Sequence, residues 1–387
     1  MILLCISLIP ISQFLSVRVV FLTFLFALVV DRHSQNVSII FRQSWDIILY
    51  LSVLVIGLIY TQDLQTGIRV IETSFSLIAL PIIFSKVRNF DEIKLKQLFF
   101  AFISGITVAS TLSLIGALFE YLNSGDKNSF FSNQLTSLID SHPTYLAYYL
   151  ISAITFGLYS IYYQKGLGAS FQTFLLLTLL FVMLMLTGSS TIFIVVLFVF
   201  SFFLLKYLLE EKTEQQTKVF ILIIFFAIFM FAYNLFYYGA DNINNDSWER
   251  LGLWNSAIEA NPNFLLGVGT GDYNLVLNKY FLDHDLKEFA KNNFNSHNQF
   301  LQVYFSNGLI GVLFLLLLLG RPLYISVRYQ NTLGILIFFP FLMYGMTEVF
   351  LGRYQGVVFF AFLHQIFISN HLYNSSSNLP MKQSSIL

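Results

Sequence analysis

Charge is scarce in this chain. Asp, Glu, Lys and Arg make up 11% of its 387 residues, where a soluble domain carries about a quarter. That shortage excludes an ordinary soluble enzyme. The single cysteine, Cys5, excludes an intrachain disulfide framework and any cysteine-built metal site. No basic tract is present, and 21 basic residues balance 21 acidic ones, which leaves nothing to attract a nucleic acid. Strict apolar–polar alternation is missing as well, so a membrane β-barrel does not fit. The N-terminal apolar stretch lacks a preceding basic segment and a small-residue cleavage site. It reads as a retained membrane segment, not a removed signal peptide.

What the chain does have is apolar sequence: 56% of residues are hydrophobic. Continuous apolar runs recur at roughly the 17–25 residues needed to cross a bilayer as helix. The expected fold is an all-α integral membrane protein of about 11–12 transmembrane helices with one large periplasmic loop containing short helices. Spans are expected near 14–30, 44–60, 68–84, 96–122, 142–163, 171–187, 189–208, 218–238, 298–319, 332–350 and 354–372. Residues 1–12 are apolar but short for a crossing, and a tilted helix there makes the twelfth. The chain divides into an N-terminal bundle at 1–238, the loop at 239–296, C-terminal helices at 297–373 and a disordered cytoplasmic tail at 374–387. Thirteen Lys and Arg residues fall on one side and seven on the other, with Arg18 near a span start. The richer side is cytoplasmic by the positive-inside rule, so the 239–296 loop faces outward.

The informative stretch is Ser247 to Gly311. Ser247 suits the cap of a helix starting at Trp248. Trp248, Leu251, Trp254 and Ile258 recur at helical spacing, a stripe suited to the membrane surface. Asn261-Pro262 stops that helix. Arg250 lies off the stripe, free to face a cavity; snorkelling or pairing with Glu249 is the plainer alternative. Gly267, Gly269 and Gly271 permit a sharp turn into a helix capped by Asp272. Their amides suit either an anion nest or simply a tight packed turn. Ser296 with Gln299 fits a capping box, which puts His297 in the first helical turn and disfavours its charged form. A neutral His297 can accept a proton; an interfacial anchor is the alternative. From 239 to 296 there are eight acidic and four basic residues, so an anion must be recognised by a few placed groups. Arg69 and Arg353, at outward span ends, are the helpers for Arg250, because a planar guanidinium forks onto phosphate. Glu72, Glu120, His142 and Glu348 sit in or beside spans, where ionisable groups are costly and often functional. Glu72 is one turn from Arg69 and suits pairing with it. Ser141 suits the cap of the helix that opens at His142-Pro143. Asp283-His284-Asp285 offers too few ligands for a metal site, and no Asp-x-Asp pair follows the first span.

Taken together, these motifs resemble the O-antigen ligase and O-antigen polymerase superfamily of bacterial inner-membrane glycosyltransferases. The resemblance is carried by Trp248-Glu249-Arg250 with Trp254 and Asn261-Pro262. It continues in Gly267-Val268-Gly269-Thr270-Gly271, Ser296-His297-Asn298-Gln299-Phe300-Leu301-Gln302 and Gly308-Leu309-Ile310-Gly311. Weaker echoes are His142-Pro143-Thr144-Tyr145 and Thr347-Glu348 with Arg353-Tyr354-Gln355-Gly356-Val357. The resemblance implies an inner-membrane enzyme whose outer loop covers a lateral cavity. It implies an undecaprenyl-pyrophosphate glycan as donor, lipid A core or another acceptor, surrounding membrane lipid, no nucleic acid, no cofactor and no metal, with inversion at the anomeric carbon. Arg250 matches the loop arginine that engages the pyrophosphate, and His297 the loop histidine cast as acceptor base or orienter. Arg69 and Arg353 are further donor ligands, with Glu72, His142, Asn298 and Glu348 in support. One departure stands out: where many members carry an arginine after a serine pair, this chain reads Gly188-Ser189-Ser190-Thr191.

Ligase is preferred to polymerase on the loop motifs. A lipid-linked sugar transporter is the reading from another class, but it is expected to carry its binding groups near the bilayer midplane, not in an outer loop. The topology is directly testable. In a Cys5-free chain carrying Asn278→Cys, an impermeant maleimide applied to intact cells whose outer membrane has been permeabilised is expected to label the new thiol. No labelling would invert the topology.

Overall fold

The computed structural model describes residues 1–29, 37–87, 92–139, 141–164, 168–210, 213–237 and 240–376. All regular structure among these residues is helical. The first half runs α1 Ile2–Leu8, α2 Gln13–Val29, α3 Val37–Gly57, α4 Leu64–Thr73, α5 Phe75–Ser85, α6 Glu92–Ser124, α7 Ser132–Leu135 and α8 Pro143–Tyr162. The second runs α9 Phe171–Leu186, α10 Ser190–Leu209, α11 Glu214–Tyr237, α12 Ala240–Glu259, α13 Tyr273–Asp283, α14 Lys287–Lys291, α15 Gln299–Arg328, α16 Thr332–Gly345 and α17 Tyr354–Ser376. Each of the eleven expected spans falls on a helix or, at 68–84, on the pair α4 and α5. Five helical stretches are long and apolar enough to cross a membrane: Leu64–Ser85, Lys94–Ser124, Pro143–Tyr162, Ile192–Leu209 and Gln299–Arg328. Residues 1–12 do not form a full crossing. The seven-residue α1 packs its backbone against Gly105 of α6 and buries Cys5 completely. The tail beyond Ser376 lies outside the described residues.

α8 is the axis of the bundle, buried along its whole length. Its tyrosines could not be placed there without partners, because an unmatched hydroxyl in an apolar interior is costly. The hydroxyls of Tyr145, Tyr148 and Tyr149 donate to the carbonyls of Val349 (3.2 Å), Ile337 (3.3 Å) and Gln355 (2.8 Å). The first of these bonds holds the connector between α16 and α17, the segment that carries Glu348, and the last holds the start of α17.

α15 is interrupted. Gly308 adopts φ +64°, ψ −163° inside it, which removes several i→i−4 bonds. In lipid such freed groups must find other partners. The segment 261–269 supplies them. Tyr304 O accepts from Asn261 Nδ2 (3.1 Å), Phe305 O from Val268 N (2.9 Å) and Ser306 O from Gly269 N (2.9 Å). On the other side of the break, Leu309 N donates to Phe264 O (2.9 Å) and Ile310 N to Leu265 O (3.4 Å). The loop is thereby sewn into a discontinuous membrane helix.

At the end of α3 and α15 remote from the loop lies a buried polar cluster. Ser44 breaks α3 with φ −139°, ψ 20°, and Arg321 collects the carbonyls of Arg42 (2.7 Å) and Gln43 (3.0 Å). The same guanidinium pairs with Asp46 Oδ1 at 2.5 Å. Asp46 Oδ2 meets His364 Nε2 at 2.7 Å, and Gln365 closes the network on His364 Nδ1 and Ser44 Oγ.

A side chain at Gly308 would meet the backbone of Leu265 and Leu266 as well as an unfavourable positive φ. Gly308→Ala is expected to cost at least the ~1–3 kcal/mol of a strained backbone position, read as a lower unfolding temperature in detergent. An unchanged unfolding temperature would remove the break from the determinants of the fold.

Candidate functional site

The segment between α11 and α15 has a core of its own with the first turns of α15, formed by Leu253, Ala257, Tyr273, Leu277, Phe281 and Phe305. α12 turns Leu253 and Ala257 into that core and leaves Leu251 and Ile258 outside. It begins at Ala240, so Ser247 lies within the helix and does not cap it. The side chains of Trp248 and Glu249 fall outside the described part of the structure. The helix ends at Glu259, ahead of Asn261-Pro262 as the sequence demands.

The glycine turn is a packing device. Gly267 N bonds Asn263 O, Val268 N and Gly269 N bond α15, Thr270 N bonds Gly57 O, and Gly271 N bonds Thr61 Oγ1. With these amides occupied, the turn offers no anion nest. Asp272 precedes α13 but makes no side-chain cap there. Its carboxylate instead accepts from Gln62 N and Asp63 N, tying the turn to the start of α4.

His297 is not in the first turn of α15. Asn298 is the cap, its Oδ1 accepting from Phe300 N (2.9 Å) and Leu301 N (3.1 Å). Gln299 is diverted to Leu351 N (2.7 Å) instead of completing a capping box. His297 therefore precedes the helix, with φ +43°, a left-handed conformation a non-glycine residue keeps only when its surroundings impose it. They do. Asn295 Oδ1 accepts from His297 N (2.8 Å), Tyr273 OH accepts from Ser296 N (2.6 Å), and Ser296 Oγ donates to Asn298 O (3.0 Å).

Arg250 and His297 meet at one place, the connector Thr347–Glu348 after α16. Arg250 Nη1 donates to Thr347 O at 3.2 Å. His297 Nδ1 stands 3.6 Å from Glu348 Oε1, and that nitrogen is buried with no hydrogen bond among the described residues. A carboxylate facing Nδ1 favours the proton on that nitrogen, which leaves Nε2 able to accept another. Among the described residues Thr347 O is the hydrogen-bond partner of the Arg250 guanidinium.

His142 and Arg353 join from the other side. His142, not Ser141, caps α8: its Nδ1 accepts weakly from Thr144 N at 3.4 Å, which leaves the neutral ring's proton on Nε2. Burial, then the nearby Arg353 cation, hold its pKa below the usual 6.5, with Glu348 partly opposing and His297 adding slightly. His142 and Arg353 line a polar hollow together with Ser141 and Gln355. Arg69 and Glu72 stand apart. Both are exposed on α4 and form no ion pair among the described residues; Asp63, the cap of α4, is the carboxylate that feels Arg69. Beside the meeting point, Leu251, Trp254, Ile258, Phe300, Leu342 and Met346 line an apolar groove of about 470 Å³ that also reaches Asn298.

Sequence reasoning overlooked Tyr273 and the Thr347 carbonyl, whose roles arise from contacts 23 and 97 residues away along the chain. It also passed over Asp46 and His364, although ionisable residues inside apolar spans were a readable signal. No group of His, Cys, Asp and Glu suited to a metal occurs among the described residues.

No curated protein matches this chain. The family model described as O-antigen ligase matches residues 175–316, a stretch that contains Arg250, the glycine turn and His297 but not His142, Glu348 or Arg353. Over that stretch the chain is similar to the O-antigen ligase family.

Proposed function

We propose that the protein is a glycosyltransferase that moves a glycan from undecaprenyl pyrophosphate to an acceptor hydroxyl at the periplasmic face of the bacterial inner membrane, as a ligase acting on lipid A core. The reading rests on one observation: the loop arginine and the loop histidine of a ligase-family chain converge on the same two-residue connector. The groove beside that point has the apolar character a polyprenyl tail requires.

The chemistry follows from the groups present. Pyrophosphate leaves without protonation, so the protein's task is to stabilise the charge that grows as the glycosidic C–O bond breaks. The planar guanidinium of Arg250 suits that charge, and water exclusion strengthens the interaction. The acceptor oxygen attacks the anomeric carbon from the face opposite the leaving group, with inversion. Its proton passes to Nε2 of His297, and Glu348 balances the imidazolium that forms. The bonding pair departs with undecaprenyl pyrophosphate. No metal enters this scheme. His142, neutral with an Nε2–H, serves as a donor to substrate oxygen rather than as a second base.

In proteoliposomes supplied with an undecaprenyl-pyrophosphate glycan and lipid A core, the wild-type protein is expected to form the glycosidic bond. Arg250→Ala should reduce turnover by about 10²–10³-fold, as for other charge-stabilising donors. His297→Ala should reduce it by about 10²–10⁴-fold, the span of general-base catalysis. Both variants should reach the membrane at normal levels, and Arg250→Lys should also be poorly tolerated. Near-normal turnover in either alanine variant would remove that residue from the mechanism. A deletion strain separates the reactions: long undecaprenyl-linked chains accumulate if a ligase is lost, single repeats if a polymerase is. Movement of labelled donor across vesicles with no bond formed would establish a transporter instead.

A further inference from the structure

The polar hollow beside His142 and Arg353 has a composition that the donor does not explain. Its volume is about 280 Å³, just under the ~300–1,000 Å³ of pockets for drug-sized ligands, so it accommodates a single ring and not a chain. Gln13 at the start of α2, Asn133 of α7 and Ser137 stand at its exposed rim. None of their side chains has a hydrogen-bond partner among the described residues. Thr136, Ser141 and Gln355 lie buried at its floor. The lining is therefore made of carboxamides and hydroxyls, groups that both donate and accept. A sugar hydroxyl also does both. A phosphate only accepts, and would call for more cations than the lone Arg353. Among the described residues no carboxylate lines the hollow.

Position narrows the assignment further. The apolar groove is built from α12, α15 and α16, and the hollow from α2, α7, the start of α8 and the start of α17. They share no lining residue. The His297–Glu348 pair adjoins the groove through the neighbouring Asn298 and Met346, and adjoins the hollow through His142, whose ring feels both groups. A displacement with inversion requires nucleophile and leaving group on opposite faces of the reacting carbon. If the lipid-borne pyrophosphate leaves on the groove side, the acceptor arrives from the hollow.

We infer that this hollow is the acceptor subsite, holding one neutral or acidic sugar ring of the acceptor so that a hydroxyl reaches His297. The inference rests on the glycosyl-transfer reading above. Its test has two arms. In the first, core oligosaccharide freed from lipid A is presented to the protein in nanodiscs and its binding is followed by saturation-transfer NMR. Removing the rim contacts by Asn133→Ala with Ser137→Ala, or filling the hollow by Ser137→Trp, should weaken binding by about tenfold or more, as expected for two lost hydrogen bonds. In the second, the same variants should raise the KM for acceptor by a similar factor and leave the KM for donor unchanged. These rim positions are exposed, and equal unfolding temperatures will show that the fold is intact. Unchanged affinity in both variants overturns the inference. So does a raised donor KM with acceptor KM unchanged, which would give the hollow to the donor glycan. Oligosaccharide binding that the variants lose, in a protein that transfers nothing, supports a sugar site in the hollow and sinks the transfer reading alone.

Discussion

The architecture depends on a repaired defect. A membrane helix that breaks leaves backbone donors and acceptors in a medium with nothing to offer them. In α15 the break at Gly308 is repaired by Phe264, Leu265, Val268 and Gly269 of the loop, so the loop is part of the bundle's own hydrogen bonding. From this fixed base the remaining order follows. Phe305 enters the loop core beside Tyr273, Tyr273 holds the amide of Ser296, and the next residue is His297. The imidazole is placed by a chain of contacts that begins at Gly308, eleven residues further along the chain.

The connector between α16 and α17 is the second fixed element. It receives the hydroxyl of Tyr145 from the buried axis helix, the carboxamide of Gln299 from α15 and the guanidinium of Arg250 from α12. Three helices thus define where Glu348 stands. A group meant to orient a base must itself be held, because catalytic benefit from preorganised charge disappears if the charge has to move first.

Much of this was legible in the sequence, and the boundary of legibility has a physical cause. Apolar run length located the helices, since a span announces itself through composition alone. Arg250 and His297 stood out because they interrupt apolar sequence with chemistry. The caps were misread at Ser141, Ser247, Ser296 and Asp272. Each suits a cap by residue type, but Asp272 goes to the amides of residues 62 and 63 and Gln299 to Leu351. His142 and Asn298 take the caps next to Ser141 and one removed from Ser296, and α12 begins ahead of Ser247. The expected Arg69–Glu72 pair did not form either, since helical spacing permits a contact without compelling it. Pockets assembled from α2, α7, α8 and α17 have no periodicity to read, so the hollow could be found only in three dimensions.

The Asp46–Arg321–His364 network has a mechanical corollary. One carboxylate is shared by three helices, and removing a partner from a buried charge costs about 3–5 kcal/mol. That end of the bundle behaves as a clamp. Three helices far apart in sequence, α3, α15 and α17, are thereby locked to one another at the foot of the bundle, independently of the contacts that seat the loop.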